Sequence, residues 1–104
     1  SWTGASLYDL CEARLRACLK DGAPERQLID LFAEDVTRAE LIDALDRMKQ
    51  PRDAFKLLYR CLIDHCANVT QGENLWRIPR HILMQVLKVE NERLQQFQQG
   101  IRPG

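Results

Sequence analysis

The side chains most able to do chemistry in this 104-residue chain are four cysteines and two histidines. Cys61 and His65 are four residues apart and so would share one face of a helix, with Cys66 directly after them. If Cys11 or Cys18 approached from another helix, these groups could form a Cys/His zinc site. Structural zinc sites usually use two closely spaced ligand pairs, and Cys11 and Cys18 are too far apart to supply the second. The pattern favours a core cysteine beside a boundary histidine, and we expect no metal or other cofactor.

Nucleophilic catalysis is equally poorly supported. A Cys–His pair needs an activated thiolate and a third group that orients the histidine. The second histidine, His81, follows Arg80 at the start of a predicted helix, where the helix dipole disfavours a cation. Asn68-Val69-Thr70 matches the glycosylation sequon, but such a short motif often arises by chance. With no phosphate-binding loop either, we expect the chain not to be an enzyme.

The cysteine spacing also bears on the cellular compartment. Cys11 and Cys18 fall two turns apart on one predicted helix, and Cys61 and Cys66 lie five residues apart on another. Neither pair can bridge within its helix, because a disulfide needs Cα atoms within about 7 Å. We therefore expect reduced thiols and a cytoplasmic or nuclear, hence intracellular, protein. The sequence has no run of about 18 apolar residues, so we expect no membrane-spanning helix.

The sequence starts at Ser1, which suggests that residues 1–104 form a single domain excised from a larger protein.

Apolar residues recur at intervals of three and four throughout, the period of amphipathic helices. The first helix is expected from Ser6 to Leu19, before Gly22, and a short second helix from Pro24 to Glu34-Asp35. Thr37-Arg38-Ala39-Glu40 reads as a capping box for the third, with Val36 and Leu41 as its hydrophobic staple. The predicted bounds of the later segments are a fourth helix from Pro51 to Ala67-Asn68, a loop from Val69 to Asn74, one helical turn from Leu75 to Ile78, and a last helix from Pro79 to Phe97.

These segments predict an all-α fold: a compact bundle of five main helices plus a short sixth turn, with a long C-terminal helix. The fourth helix has a broad apolar arc, which suggests that it is central and contacted on several sides. A count near six helices in about 100 residues invites comparison with the death-fold adaptor modules. No residue motif of that superfamily matches this chain, so the likeness is one of architecture only.

The charge pattern bears on the class of partner. Fifteen basic residues balance fifteen acidic ones, whereas nucleic-acid binders usually carry a basic excess. A local basic face is still conceivable, and a nucleic-acid-associated helical domain is the main alternative function; its residues would be Arg52, Lys56, Arg60, Arg77 and Arg80. A regulatory domain of a larger enzyme is a third possibility.

The last helix gives the preferred hypothesis. Its apolar stripe is formed by Leu83, Val86, Leu87, Leu94 and Phe97, and the outer two stand among polar residues. A helix of some 19 residues is about 28 Å long and outreaches the second and third helices. Its end must therefore be covered by the N-terminal segment or by a partner.

We accordingly expect a non-catalytic protein–protein interaction domain of the adaptor or scaffold type. The partner would be another protein, through a helix or a peptide, or a second copy of the chain, and neither nucleic acid nor a membrane. The expected binding residues are Leu94, Phe97, Arg93 and Trp2. Trp76, the other tryptophan, is expected in the core.

Overall fold

The computed structural model describes residues 1–21, 25–69 and 76–100, and most of these residues lie in helices and none in strands. The described ranges contain four α-helices: α1 (Gly4–Cys18), α2 (Arg38–Met48), α3 (Pro51–Asn68) and α4 (Arg80–Gln98). A 3₁₀ turn, Leu28–Leu31, lies between α1 and α2. No helix in the described ranges is both long enough and apolar enough to cross a membrane.

The prediction of five main helices is wrong at the second one. The segment from Pro24 to Glu34-Asp35 is not an α-helix in its described part, which contains only the 3₁₀ turn. Asp30 explains the tight turn, because its carboxylate accepts the backbone N–H of Gln27 at 3.1 Å and so closes the turn locally. The chain then becomes extended at Phe32 (φ −109°, ψ 154°).

The predicted sixth turn is also wrong in its described part, Trp76 to Ile78, and Leu75 lies outside the described residues. Ile78 pairs with the extended segment at Phe32 in an isolated parallel bridge. The Ile78 N–H donates to Leu31 O and the Ala33 N–H donates to Ile78 O, both at 2.8 Å. Pro79 explains the extended backbone, since its ring disfavours helical geometry in the preceding residue. The helix count that suggested the death fold is therefore four in the described chain.

The remaining helices are confirmed, and their start signals are visible in the structure. The Thr37–Glu40 capping box is formed in both directions, with both of its backbone-to-side-chain distances at 3.1 Å. A second capping box, between Thr3 and Ser6, starts α1 at Gly4, two residues before the predicted Ser6. Lys49 then adopts a left-handed conformation (φ 68°), which turns the chain sharply from α2 into α3.

The helices pack around one apolar core. The N-terminus of α1 meets the C-terminal half of α2, while Tyr8 further along α1 stacks under Arg38 at the start of α2, so these two helices are antiparallel. The beginning of α3 lies beside the end of α4. The largest buried side chains come from every element: Leu7, Tyr8, Leu28, Phe32, Leu41, Leu45, Met48, Leu57, Cys61, Ile78, Ile82 and Leu83.

Candidate functional site

The inner face of α4 extends beyond the core that it helps to form. Leu83, Val86 and Glu90 are buried. Phe97 lies eleven residues after Val86, or about three helical turns, and so continues the same face. Its side chain is nevertheless 76% exposed. Leu94, one turn before Phe97, is partly buried against the core. The last turn of α4 therefore carries an aromatic ring that no described residue covers.

This end of α4 forms one wall of a groove. The groove has a volume of about 220 Å³, and the start of α3 forms the other wall. Its lining residues are Arg52, Asp53 and Lys56 from α3 and Arg93, Leu94 and Phe97 from α4. The site thus combines an apolar strip on α4 with a charged strip on α3.

Arg93 holds the two walls together. Its Nη2 donates to Asp53 Oδ1 at 3.1 Å across the groove, and its Nε donates to Glu90 Oε2 at 3.3 Å on its own helix. Burial alone would lower the pKa of Arg93, but the hydrogen bonds to Asp53 and Glu90 raise it above its usual value. The guanidinium is therefore fixed in place and fully charged.

Glu90 lies beneath this pair and is only 4% exposed. Its Oε1 atom has no hydrogen-bond partner among the described residues, so Arg93 provides its one neutralising contact there. A buried carboxylate is stable only when it is paired, because desolvation of the charge is costly. Glu90 thus makes the position of Arg93 a requirement of the fold.

Arg52 and Lys56 differ from Arg93 because both are exposed. No carboxylate in the described part of the chain forms an ion pair with either of them. The site has three cations, Arg52, Lys56 and Arg93, and two carboxylates, Asp53 and Glu90, so its net charge is +1. The two groups without a charged partner, Arg52 and Lys56, are both cations. The groove is therefore apolar on one side and positively charged on the other.

Of the four predicted binding residues, the structure brings Arg93, Leu94 and Phe97 together in the groove. It does not place Trp2 there. Trp2 lies just before α1, and its side chain is 43% exposed. The first residue of α1, Gly4, packs against Ile42 and Asp46 of α2. Trp2 is not among the residues that line the groove.

A second exposed feature, on α3, was missed by the sequence analysis. Leu57, Cys61 and His65 form its inner face, but Tyr59, Leu62 and Ile63 are exposed. The prediction that α3 is contacted on several sides is confirmed, because α3 packs against α1, α2 and α4, while its outer face stays exposed. A signal was present in the spacing: residues 52, 56, 59 and 63 share one face, and the first two are cations, which rarely face a core.

The other sequence candidates are not assembled into a site. Cys61 and His65 are buried while Cys66 is exposed, and no group of three metal-ligating side chains occurs in the described ranges. All four cysteines are free. Burial raises the pKa of Cys11 to about 11 and that of Cys61 to about 12, so neither is an activated nucleophile. Thr70 of the sequon lies outside the described residues.

The proposed basic face is divided by the structure. Arg80 at the start of α4 donates to Glu40 Oε2 at 2.7 Å, and Arg77 lies over the ring of Trp76 at 5.0 Å. Arg80 and Arg93 are thirteen residues apart on α4, or about 20 Å along its axis. Arg80 is therefore separated from Arg52, which lies beside Arg93.

Trp76 itself contradicts its predicted burial, being 58% exposed. It forms part of the wall of a larger apolar groove of about 370 Å³, together with Leu15, Leu19 and Leu31. Asp30, which also lines this groove, is already used to close the 3₁₀ turn. One exposed cation, Arg26, also lines this groove, whereas the α3–α4 groove combines two exposed cations with the exposed ring of Phe97.

Comparison of the chain with protein-family models, with curated protein sequences and with solved structures gives no significant match. The function of the chain is therefore inferred from the geometry of these residues.

Proposed function

We propose that this chain is a non-catalytic protein–protein interaction domain that docks a partner in the groove between the start of α3 and the end of α4. The observation that carries the proposal is Phe97: it continues the inner face of α4 but is 76% exposed. An aromatic ring on a surface beside a partly buried leucine is typical of a binding anchor.

The energetics of such an anchor are favourable. Complete burial of a phenylalanine side chain contributes about 1.5–3 kcal/mol, and Leu94 adds part of its own exposed surface. Arg93 is already held by Asp53 and Glu90, so a partner would lose little additional side-chain entropy by contacting it. Exposed aromatic and arginine side chains are the types enriched at interface hot spots.

The nucleic-acid alternative receives less support from the same surface. Its five cations do not form one free patch, because Arg80 is paired with Glu40 at 2.7 Å. A regulatory domain of a larger enzyme would use a docking surface of the same kind, so that alternative concerns the context of the domain rather than its site.

The proposal can be tested by display selection of random helical peptides on the purified domain, followed by affinity measurement on variants. Phe97→Asp should weaken the selected peptides at least tenfold, since it removes the anchor. Gln95→Asp is the matched control, because it introduces the same charge in the same turn. Residue 95 lies about 160° around the helix from residue 97, so this charge faces away from the groove. Peptides that bind the Phe97→Asp domain as tightly as the unchanged one would show that docking does not use this groove.

A further inference from the structure

We infer that the groove selects an acidic amphipathic helix, which lies along the outer face of α3 with its carboxylates over Arg52 and Lys56. This inference rests on the proposed docking function and names the chemistry of its partner. Two observations support it: the uneven distribution of charge in the groove and the composition of the adjoining α3 face.

The charge distribution identifies the sign of the partner. Asp53 and Glu90 are both engaged by Arg93, at 3.1 Å and 3.3 Å. The groups left to meet a partner are Arg52 and Lys56, which have no carboxylate partner in the described chain. They also stand in the first two turns of α3, and the positive end of the helix dipole adds to their field at the first turn. A carboxylate placed there would be attracted, and a cation would be repelled.

The outer face of α3 identifies the shape of the partner. Arg52, Lys56, Tyr59 and Ile63 follow one another at intervals of four, three and four residues, so they form one continuous stripe. Tyr59 is 63% exposed and Ile63 is also exposed. The stripe spans eleven residues, or about 16 Å. A helix of three to four turns matches that length and can present apolar residues at the same spacing.

A partner helix can satisfy both ends of this surface at once. Its acidic end would lie beside Arg52 and Lys56, where a neighbouring apolar side chain can cover Phe97 and Leu94. Its other end would pack apolar side chains on Tyr59 and Ile63. Nucleic acid fits less well, because the second half of the stripe exposes Tyr59 and Ile63 and only one neighbouring cation, Arg60, could contact phosphate there.

The test uses two synthetic fifteen-residue amphipathic helices with identical apolar faces, one flanked by glutamates and the other by lysines. Fluorescence anisotropy at low salt should show the acidic peptide binding roughly tenfold more tightly, with the difference shrinking as salt rises. The double variant R52E/K56E should reverse the preference. Lys20→Glu and Lys88→Glu together form the matched control, because these exposed cations lie outside the groove and the same charge change there should leave the preference intact.

The outcomes separate the two proposals. If both peptides bind equally and both lose affinity to Phe97→Asp, charge selection is refuted while the docking groove stands. If Phe97→Asp changes neither affinity, the docking proposal itself fails. The acidic-helix inference would be overturned if neither peptide binds. It would also be overturned if the domain binds random duplex DNA and R52E/K56E loses that binding, or if the domain self-associates through the same residues in a salt-sensitive way.

Discussion

Replacement of Arg93 by methionine is the most direct test of how the groove is built. The substitution keeps most of the apolar stem of the side chain but removes the guanidinium. Glu90 is then left as a buried carboxylate without its neutralising contact, and Asp53 loses its partner across the groove. We expect a destabilised fold in which the end of α4 separates from the start of α3.

The size of the effect follows from the burial of the three groups. Removal of one partner from a fully buried ion pair costs about 3–5 kcal/mol. Here the Glu90 side chain is 5% exposed, but that of Arg93 is 36% exposed, so water already screens part of the interaction. We therefore expect a loss of roughly 2–3 kcal/mol in the free energy of unfolding. In a domain of this size a loss of 2 kcal/mol lowers Tm by about 8–16 °C.

Urea denaturation of the Arg93→Met variant measures this loss. The double variant E90M/R93M should recover most of it, because a well-packed apolar pair can replace a buried ion pair of similar volume. Arg47→Met is the control, since the exposed Arg47–Asp43 pair at 3.6 Å should contribute less than about 0.5 kcal/mol. A loss of less than 0.5 kcal/mol in Arg93→Met, or a double variant no more stable than the single one, would refute the assigned role of Glu90.

Two further predictions concern the scaffold. Gly4→Ala would place its Cβ atom 2.5 Å from the Ile42 carbonyl oxygen and 2.8 Å from Asp46 Cβ. This overpacking should outweigh the gain in helix propensity and lower the free energy of unfolding, measured in urea, by about 1–3 kcal/mol. An unchanged urea midpoint would contradict the close approach of α1 and α2. In thiol labelling at pH 8, Cys18 and Cys66 should react while Cys11 and Cys61 stay protected, because burial holds the pKa of the latter two near 11 and 12. Denaturant should make all four cysteines reactive. Equally fast labelling of all four cysteines in the native protein would contradict the predicted burial of Cys11 and Cys61.

The elements with local start signals were predictable from the sequence. The Thr37–Glu40 capping box and the proline at residue 51 identified α2 and α3 almost to the residue, because a cap is decided by side chains within one turn of each other. The capping box at Thr3 was missed, since its third position is Ser6 rather than the usual glutamate or glutamine. These signals act over three or four residues and need no tertiary contact.

The segment after Pro24 could not be predicted in the same way. Leu28, Ile29 and Phe32 have a spacing that suits either a short helix or a turn followed by an extended residue. The choice between them is made by Ile78, more than forty residues away, which provides the backbone partners for Leu31 and Ala33. A long-range bridge of this kind leaves no trace in the local periodicity.

Burial at the surface of the bundle was predictable only in part, and α3 and α4 show why. The periodicity of α4 identified Phe97 as a member of the inner stripe, but whether that stripe is covered depends on where α3 begins. Because Pro51 starts α3 beside residue 93, α3 supplies Arg52 and Lys56 rather than apolar side chains at this end. The exposure of Phe97 is therefore set by the register of two helices, and the Glu90–Arg93–Asp53 cluster, built on the buried Glu90, fixes that register. It follows that the cluster and the docking surface are parts of one feature: a variant that breaks the cluster should weaken partner binding, whereas Phe97→Asp should abolish binding with little change in stability.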